Sequence, residues 1–221
     1  MSTLADHADW QYVLQEFEYA YGFGSAGGSA PIRAHQREVT SRLRRCRQAD
    51  PLMRFPQPVL KPVCAHLGRA LDNGETQRTA AFTRALAKIT ARLAWLYGYW
   101  SMPKTLQQKY AYTEILGPRG PVVCPDLILG LVLFAPKCRY PTHNHGDITE
   151  SYLCLSGSIS ENDAGVYAPG SLILNRAGQE HAITTADREP SLLAYAWTGP
   201  PARLADFEMV FSRSRAAPLP D

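Results

Sequence analysis

Nothing in the 221 residues repeats and no stretch is of low complexity, which excludes solenoids and unstructured tracts. Long hydrophobic runs are missing too. The longest, around Leu127 to Ala135, falls far short of the ~20 residues of a bilayer-spanning helix. The first residues, Met1 to Asp9, are acidic where a leader would be basic, so a cytoplasmic protein with no membrane partner is expected. Five cysteines (Cys46, Cys64, Cys124, Cys138 and Cys154) are an odd number without CxxC spacing. That argues against a disulfide framework or a thiolate zinc site, and the five read as reduced, packed thiols. Charge of one sign is also scarce. The net charge is +3, and the arginines are scattered through helical segments instead of forming a stripe, so no nucleic-acid partner is expected.

What is present fits a globular chain: 45% hydrophobic and 19% charged residues, in a length sufficient for a proper core. The first half reads as helices. Trp10, Val13, Leu14, Phe17 and Tyr21 recur at helical spacing, as do Leu60, Val63, Leu67 and Leu71 before Asn73-Gly74. A third stripe, Phe82, Leu86, Ile89, Leu93 and Leu96, predicts one more helix. Gly22 to Ser29 lacks both the preceding strand and the following Gly-Lys-Ser/Thr of a phosphate loop, and reads as a connection. From about Pro118 the pattern changes to short apolar and β-branched runs: Leu127 to Phe134, Ser151 to Leu155, Ser171 to Leu174, His181 to Thr185 and Leu192 to Trp197. Turn signals at Asn162-Asp163, Pro169-Gly170 and Gly199-Pro200 separate them. The expected fold is α+β, a helical N-terminal region (1–117) packed on a C-terminal antiparallel β-barrel (118–215).

Three of the six histidines fall in the strand-rich half, in a specific setting. His143 and His145 are one residue apart, so on a strand both project from one face. Glu150 follows, then Tyr152 at the next same-face position, and Gly157 closes the segment. A second segment, Gly170, Arg176, Gly178 and His181, brings in a third imidazole. Three imidazoles and a carboxylate suit one divalent transition ion per chain: zinc, iron, manganese, cobalt or nickel. A tyrosine beside such an ion is a candidate general base, because the cation favours the phenolate.

The two segments resemble the two motifs of the cupins, over about residues 120 to 212, which implies a double-stranded β-helix with His143, His145, Glu150 and His181 on the metal. Three positions depart from the pattern: Lys137 replaces a glycine, Arg176 a proline and Thr185 an asparagine. Within the cupins, Tyr140-Pro141-Thr142-His143-Asn144-His145, then Glu150-Ser151-Tyr152 and His181, resemble the dimethylsulfoniopropionate lyases, in particular the longer members with a helical N-terminal region. Gly24 to Pro31 is similar to that subgroup as well. The resemblance implies a carbon-sulfur lyase that releases dimethyl sulfide and acrylate by β-elimination. Tyr152 is then the base and Tyr140 a second catalytic candidate.

A sulfonium carboxylate substrate would rest its cation on aromatic faces, for which Tyr195 and Trp197 are the candidates. A second aromatic group, Tyr97, Tyr99, Trp100, Tyr110 and Tyr112, reads as packing between the two halves. The competing readings are another cupin metalloenzyme, such as a dioxygenase or isomerase, and a non-catalytic cupin that binds a ligand or metal. A homodimer is compatible with either.

Overall fold

The computed structural model describes residues 2–22, 28–76, 78–99, 101–207 and 210–211. Most of the Gly22 to Ser29 connection, Trp100 and the last ten residues lie outside them. Helix α1 (Ala8–Gly22) presents Trp10, Val13, Leu14, Phe17 and Tyr21 to the interior and leaves Tyr12 and Tyr19 in solvent. Helix α2 (Ala30–Gln48) starts where the Ser29 hydroxyl accepts the Ile32 N–H, with a proline in its first turn, and it ends with Arg45 and Arg47 at its negative pole. Two short helices follow, α3 (Leu67–Asn73) and α4 (Ala80–Ala87), then a one-turn helix α5 (Lys104–Gln107).

The third apolar stripe does not form a single helix. After α4 the chain makes one 3-10 turn at Thr90–Arg92 and becomes extended. Ile89 and Leu93 are still buried, but Leu96 is half-exposed and exchanges backbone hydrogen bonds with Tyr112 (2.7 and 3.0 Å). Pairing with a sheet strand has displaced helical bonds that the periodicity alone would allow. Likewise Val63 is buried while Leu60 is largely exposed, because Pro62–His66 is a 3-10 turn and not the start of a long helix.

Strands begin before Pro118. They are β1 (Tyr110–Gly117), β2 (Val122–Val123), β3 (Ile128–Phe134), β4 (Arg139–Asn144), β5 (Thr149–Ser156), β6 (Ile159–Glu161), β7 (Val166–Tyr167), β8 (Leu172–Asn175), β9 (His181–Thr185), β10 (Ser191–Thr198) and, after the short helix α6 (Pro201–Ala205), β11 (Val210–Phe211). A six-stranded sheet runs β2-β1-β3-β10-β5-β8 and a five-stranded sheet β11-β4-β9-β6-β7. Every pair but β1 with β2 is antiparallel. The two sheets face each other in the cupin manner, and among the described residues no ladder joins them into a continuous cylinder.

Alternation in the six-stranded sheet divides the core in two. Ala111, Leu129, Leu131, Leu133, Leu153, Leu155, Ala194 and Ala196 pack with the helices, whereas Tyr110, Val132, Phe134, Tyr152, Cys154, Leu193, Tyr195 and Trp197 face the other sheet. This is why β3 and β10 read as unbroken apolar runs: both of their faces are covered. Fully burying the apolar side chains of α1 alone contributes on the order of 10 kcal/mol, as much as the net stability of a typical domain. The helical layer is therefore part of the fold and not an appendage. Between the sheets, Gly130 is required: a Cβ there would lie 2.1 Å from Thr113 O and 2.6 Å from the Tyr195 ring.

Candidate metal centre and its cavity

Strands β4, β5 and β9 bring the four residues together. His143 and His181 are direct cross-strand partners in the β4–β9 ladder, and their ring centroids are 4.1 Å apart. His145 lies just past the end of β4, and Glu150 comes from β5 in the opposite sheet. One ligand atom of each of the four lies within 4.8 Å of the other three, and all four residues are buried. Asn144, between the two histidines, turns its side chain back to accept the Gly146 N–H at 3.1 Å.

The tautomers follow from the backbone. His143 Nδ1 is 2.8 Å from Pro141 O and His181 Nδ1 is 3.3 Å from Gln179 O. A carbonyl only accepts, so each Nδ1 carries the proton and each Nε2 turns a lone pair inward. His143 Nε2, His145 Nε2, His181 Nε2 and Glu150 Oε2 are buried with no hydrogen-bond donor to satisfy them. Glu150 Oε2 stands 3.1 Å from His145 Nε2 and 3.0 Å from His181 Nε2. Four orphaned acceptors converging in a dry interior are costly unless a cation satisfies them. The donor set fits one divalent transition ion.

Without a cation, the charges of the cluster lean on one another. Burial opposes the charge on Glu150, but His145 and His181 outweigh it and hold the carboxyl well below the usual range. Burial, then the neighbouring His181 and His145, depress His143 to about 3, which keeps it neutral. Burial also opposes charge on His181, but the Glu150 contact prevails and leaves its pKa raised.

Around the centre lies a narrow cavity lined by Tyr110, Tyr112, Val132, Tyr140, His145, Glu150, Tyr152, Tyr195 and Trp197, with a free volume of only about 10 Å³. Tyr152 is buried on the same face of β5 as Glu150, and its ring centroid is 6.1 Å from that of His181. Burial, then the charge of Glu150, raise its pKa well above 10. In the protein alone it is a neutral phenol, so the lowered pKa expected of a base here depends on the cation. Tyr140 is also in the cavity wall, 4.6 Å from the His143 ring, but its hydroxyl is 2.7 Å from that of Tyr99. Tyr195 and Trp197 share the inward face of β10, with centroids 5.4 Å apart. The four aromatics named from the sequence thus all line this cavity.

One contact was not foreseen: Trp197 Nε1 donates to Glu150 Oε1 at 2.6 Å. Trp197 and Glu150 are register partners in the β10–β5 ladder, and without that register the sequence gives no sign of the pairing. Also unforeseen are Glu161 and Asn175, buried side chains 3.1 Å apart near the centre. Of the second aromatic group, Tyr99 and Tyr110 pack on each other and on Tyr140, and Tyr99 also packs on His143. Part of it therefore walls the centre and does more than join the two halves.

Fold and site together define a cupin-type protein with a buried three-histidine, one-glutamate centre. Comparison with known proteins narrows this further. A family model described as dimethylsulfoniopropionate lyase matches residues 34–193. A Cereibacter sphaeroides protein provisionally named dimethylsulfoniopropionate lyase DddL is 55% identical over 214 residues, covering 97% of this chain and 92% of that protein. Among solved structures, one described as of the DMSP lyases RdDddP and RnDddQII superposes with a TM-score of 0.72 at 20% identity, over 93% of this chain and 98% of that one. The DMSP lyase DddQ from Ruegeria pomeroyi DSS-3 gives 0.69 at 20% identity, over 96% and 100%. At that identity the structural matches speak for the fold alone. The chain belongs to the dimethylsulfoniopropionate lyase family and is a carbon-sulfur lyase. No helix among the described residues is long and apolar enough to cross a membrane.

Proposed function

We propose that this protein cleaves dimethylsulfoniopropionate into dimethyl sulfide and acrylate, at a metal centre held by His143, His145, Glu150 and His181, with Tyr152 as the general base. The observation that carries the reading is the convergence of four unsatisfied buried acceptor atoms, with the Tyr152 phenol two residues after Glu150 on the same wall of the cavity. When bound, a divalent ion there acts as a Lewis acid toward the substrate carboxylate, acidifies the α-protons and favours the phenolate. Tyr152 takes one α-proton. The C–H electron pair becomes the new carbon-carbon double bond, and the C–S pair leaves on sulfur as neutral dimethyl sulfide. No general acid is needed, because the leaving group carries no negative charge.

The aromatic walls serve the other end of the substrate. Tyr195 and Trp197 offer π-faces to the sulfonium, a cation too weakly hydrated to resist burial against rings. Tyr140, its hydroxyl engaged by Tyr99, fits a role in shaping the cavity better than one as base. A cavity of about 10 Å³ holds a water and not a five-carbon substrate, so entry requires these side chains to part. A small sulfonium carboxylate as substrate, with a homodimer compatible, belongs to the same reading, as does the division into a helical region and a barrel, the boundary moving from 117/118 to about 109/110 because β1 (Tyr110–Gly117) is part of the six-stranded sheet.

The test is headspace detection of dimethyl sulfide from the purified protein with dimethylsulfoniopropionate under anaerobic conditions. Release that continues without oxygen is expected of a lyase. Oxygen consumption in step with substrate loss would point to a dioxygenase instead, and a protein that binds the substrate without converting it would be the non-catalytic cupin.

A further inference from the structure

Ser151 stands between Glu150 and Tyr152 on β5, and the two-residue period of the strand turns it away from the cavity, toward the helices. The face it joins is apolar: its cross-strand partners are Ala196 and Leu174, and Leu153 follows on the same side. Ser151 itself is fully buried, and two helices reach it with polar groups. Tyr21 of α1 places its hydroxyl 2.8 Å from Ser151 Oγ, and His35 of α2 places Nε2 at the same distance. Tyr21 is 1% and His35 4% exposed.

We propose that Ser151 is a positioning residue: through its contacts with Tyr21 and His35, the N-terminal helices fix where β5 holds Glu150 and Tyr152, and so set the metal affinity of the centre. Packing alone would be served by an alanine or valine at 151, which would need no polar partners. Instead two elements distant in sequence each bring one polar group to a single hydroxyl, in an interior where an unpaired one is costly. Such a node tolerates little displacement. Its two anchors come from two different helices, so a shift of β5 away from the helical layer strains both contacts. The ladders to β10 and β8 tie β5 to its own sheet. Among the described residues, only the node ties it by side-chain hydrogen bonds to the helical layer.

The consequence is felt one residue along the backbone on either side. Partners bonded directly to a metal ligand alter affinity by about ten- to a hundredfold when removed; the node acts through the backbone of the adjoining residue, so the lower end of that range applies. The inference rests on the metal-centre reading above, and its test keeps the two apart by measuring zinc and not turnover. Zinc affinity is determined by competition with a chromogenic chelator for the full-length protein, for Tyr21→Phe, for His35→Leu and for Leu43→Val, at a temperature where circular dichroism shows all four folded. Leu43 is a buried helix residue in the same core with no polar role, so its substitution reports the effect of lost packing alone.

Tyr21→Phe and His35→Leu are expected to weaken zinc binding about tenfold or more, with Leu43→Val lowering the melting temperature comparably at unchanged zinc affinity. If the two node variants bind zinc as the parent does, the positioning role is overturned and the metal centre stands. The role is equally overturned if Leu43→Val weakens zinc as much as they do. A parent protein that binds no zinc overturns the metal-centre reading and the positioning role with it.

Discussion

Tyr152 differs from the other buried phenols by one residue-scale fact: it shares a strand face with Glu150. Tyr152→Phe keeps the ring, and with it the packing against the cavity wall, but removes the only atom that can take a proton. Turnover is expected to fall by at least about a hundredfold, the scale of general-base catalysis, while metal content by elemental analysis is unchanged. Retained turnover would remove Tyr152 as the base. The proton inventory adds a sign: the active form is the phenolate, which the bound cation favours, and so the parent's turnover should climb with pH through the pKa of that phenol. Trp197 is the opposite case, with one side chain serving two ends of the site. Its ring can meet the sulfonium, and its N–H holds Glu150 Oε1 at 2.6 Å, leaving Oε2 for the centre. Trp197→Phe separates these roles because a ring remains. The expected result is zinc binding weakened about tenfold or more with KM for the substrate less affected. A raised KM at unchanged zinc affinity would assign Trp197 to the substrate alone.

At the scale of elements, what could be read from the sequence follows from which contacts are local. Turn chemistry is local, and Asn162 and Asp163 adopt the positive φ their types tolerate, as do Gly157, Gly170 and Gly178. The His143–His145 spacing is local as well, and both imidazoles lie in the buried four-residue cluster. Register is not local: no residue of β10 announces that Trp197 will lie opposite Glu150, or that Leu96 will pair with Tyr112 and end a helical stripe early. Strand β1, with both faces covered, lacked the alternation that would have separated it from the preceding helical pattern. The departures from the cupin pattern also become intelligible here. Lys137, where the pattern has glycine, takes φ +53, and the turn it occupies is pinned by Thr185, whose hydroxyl accepts the Cys138 N–H and donates to Ala135 O, both at 2.9 Å. A left-handed conformation costs a side-chain-bearing residue about 1–2 kcal/mol, offset for glycine by greater freedom in the unfolded chain. Lys137→Gly should therefore stabilise the protein by up to ~1 kcal/mol in denaturant unfolding. A destabilised variant would mean that the lysine side chain itself contributes to the turn.

For the molecule as a whole, pH acts also through groups outside the four-residue cluster. On the acid side is His35, held at about 4 by burial and then by Arg42. Its contribution is intact above the ordinary histidine value near 6.5 and is lost as pH falls through about 4. Working the other way is Glu114, on the inner face of β1, which burial raises to about 7 against the opposing Arg119 backbone hydrogen bond. Between pH 4.5 and 7 the unfolded chain ionises at this position while the folded protein stays protonated. Stability from Glu114 is therefore fully present below about 4.5 and declines as pH rises through 7. The shift of about 2.5 pH units corresponds to a decline on the order of 3 kcal/mol. Glu114→Gln holds the site in its neutral form and keeps an acceptor for the Arg119 N–H, now 2.9 Å from Oε1. Since every other titrating group, those of the metal centre included, is common to both proteins, the difference in unfolding free energy between variant and parent isolates this carboxyl. That difference should be near zero at pH 4.5 and favour the variant by a few kcal/mol at pH 8, measured by urea unfolding at each pH with metal content held constant. Parallel curves for the two proteins across this range would show that Glu114 ionises in the fold at an ordinary carboxylate pKa.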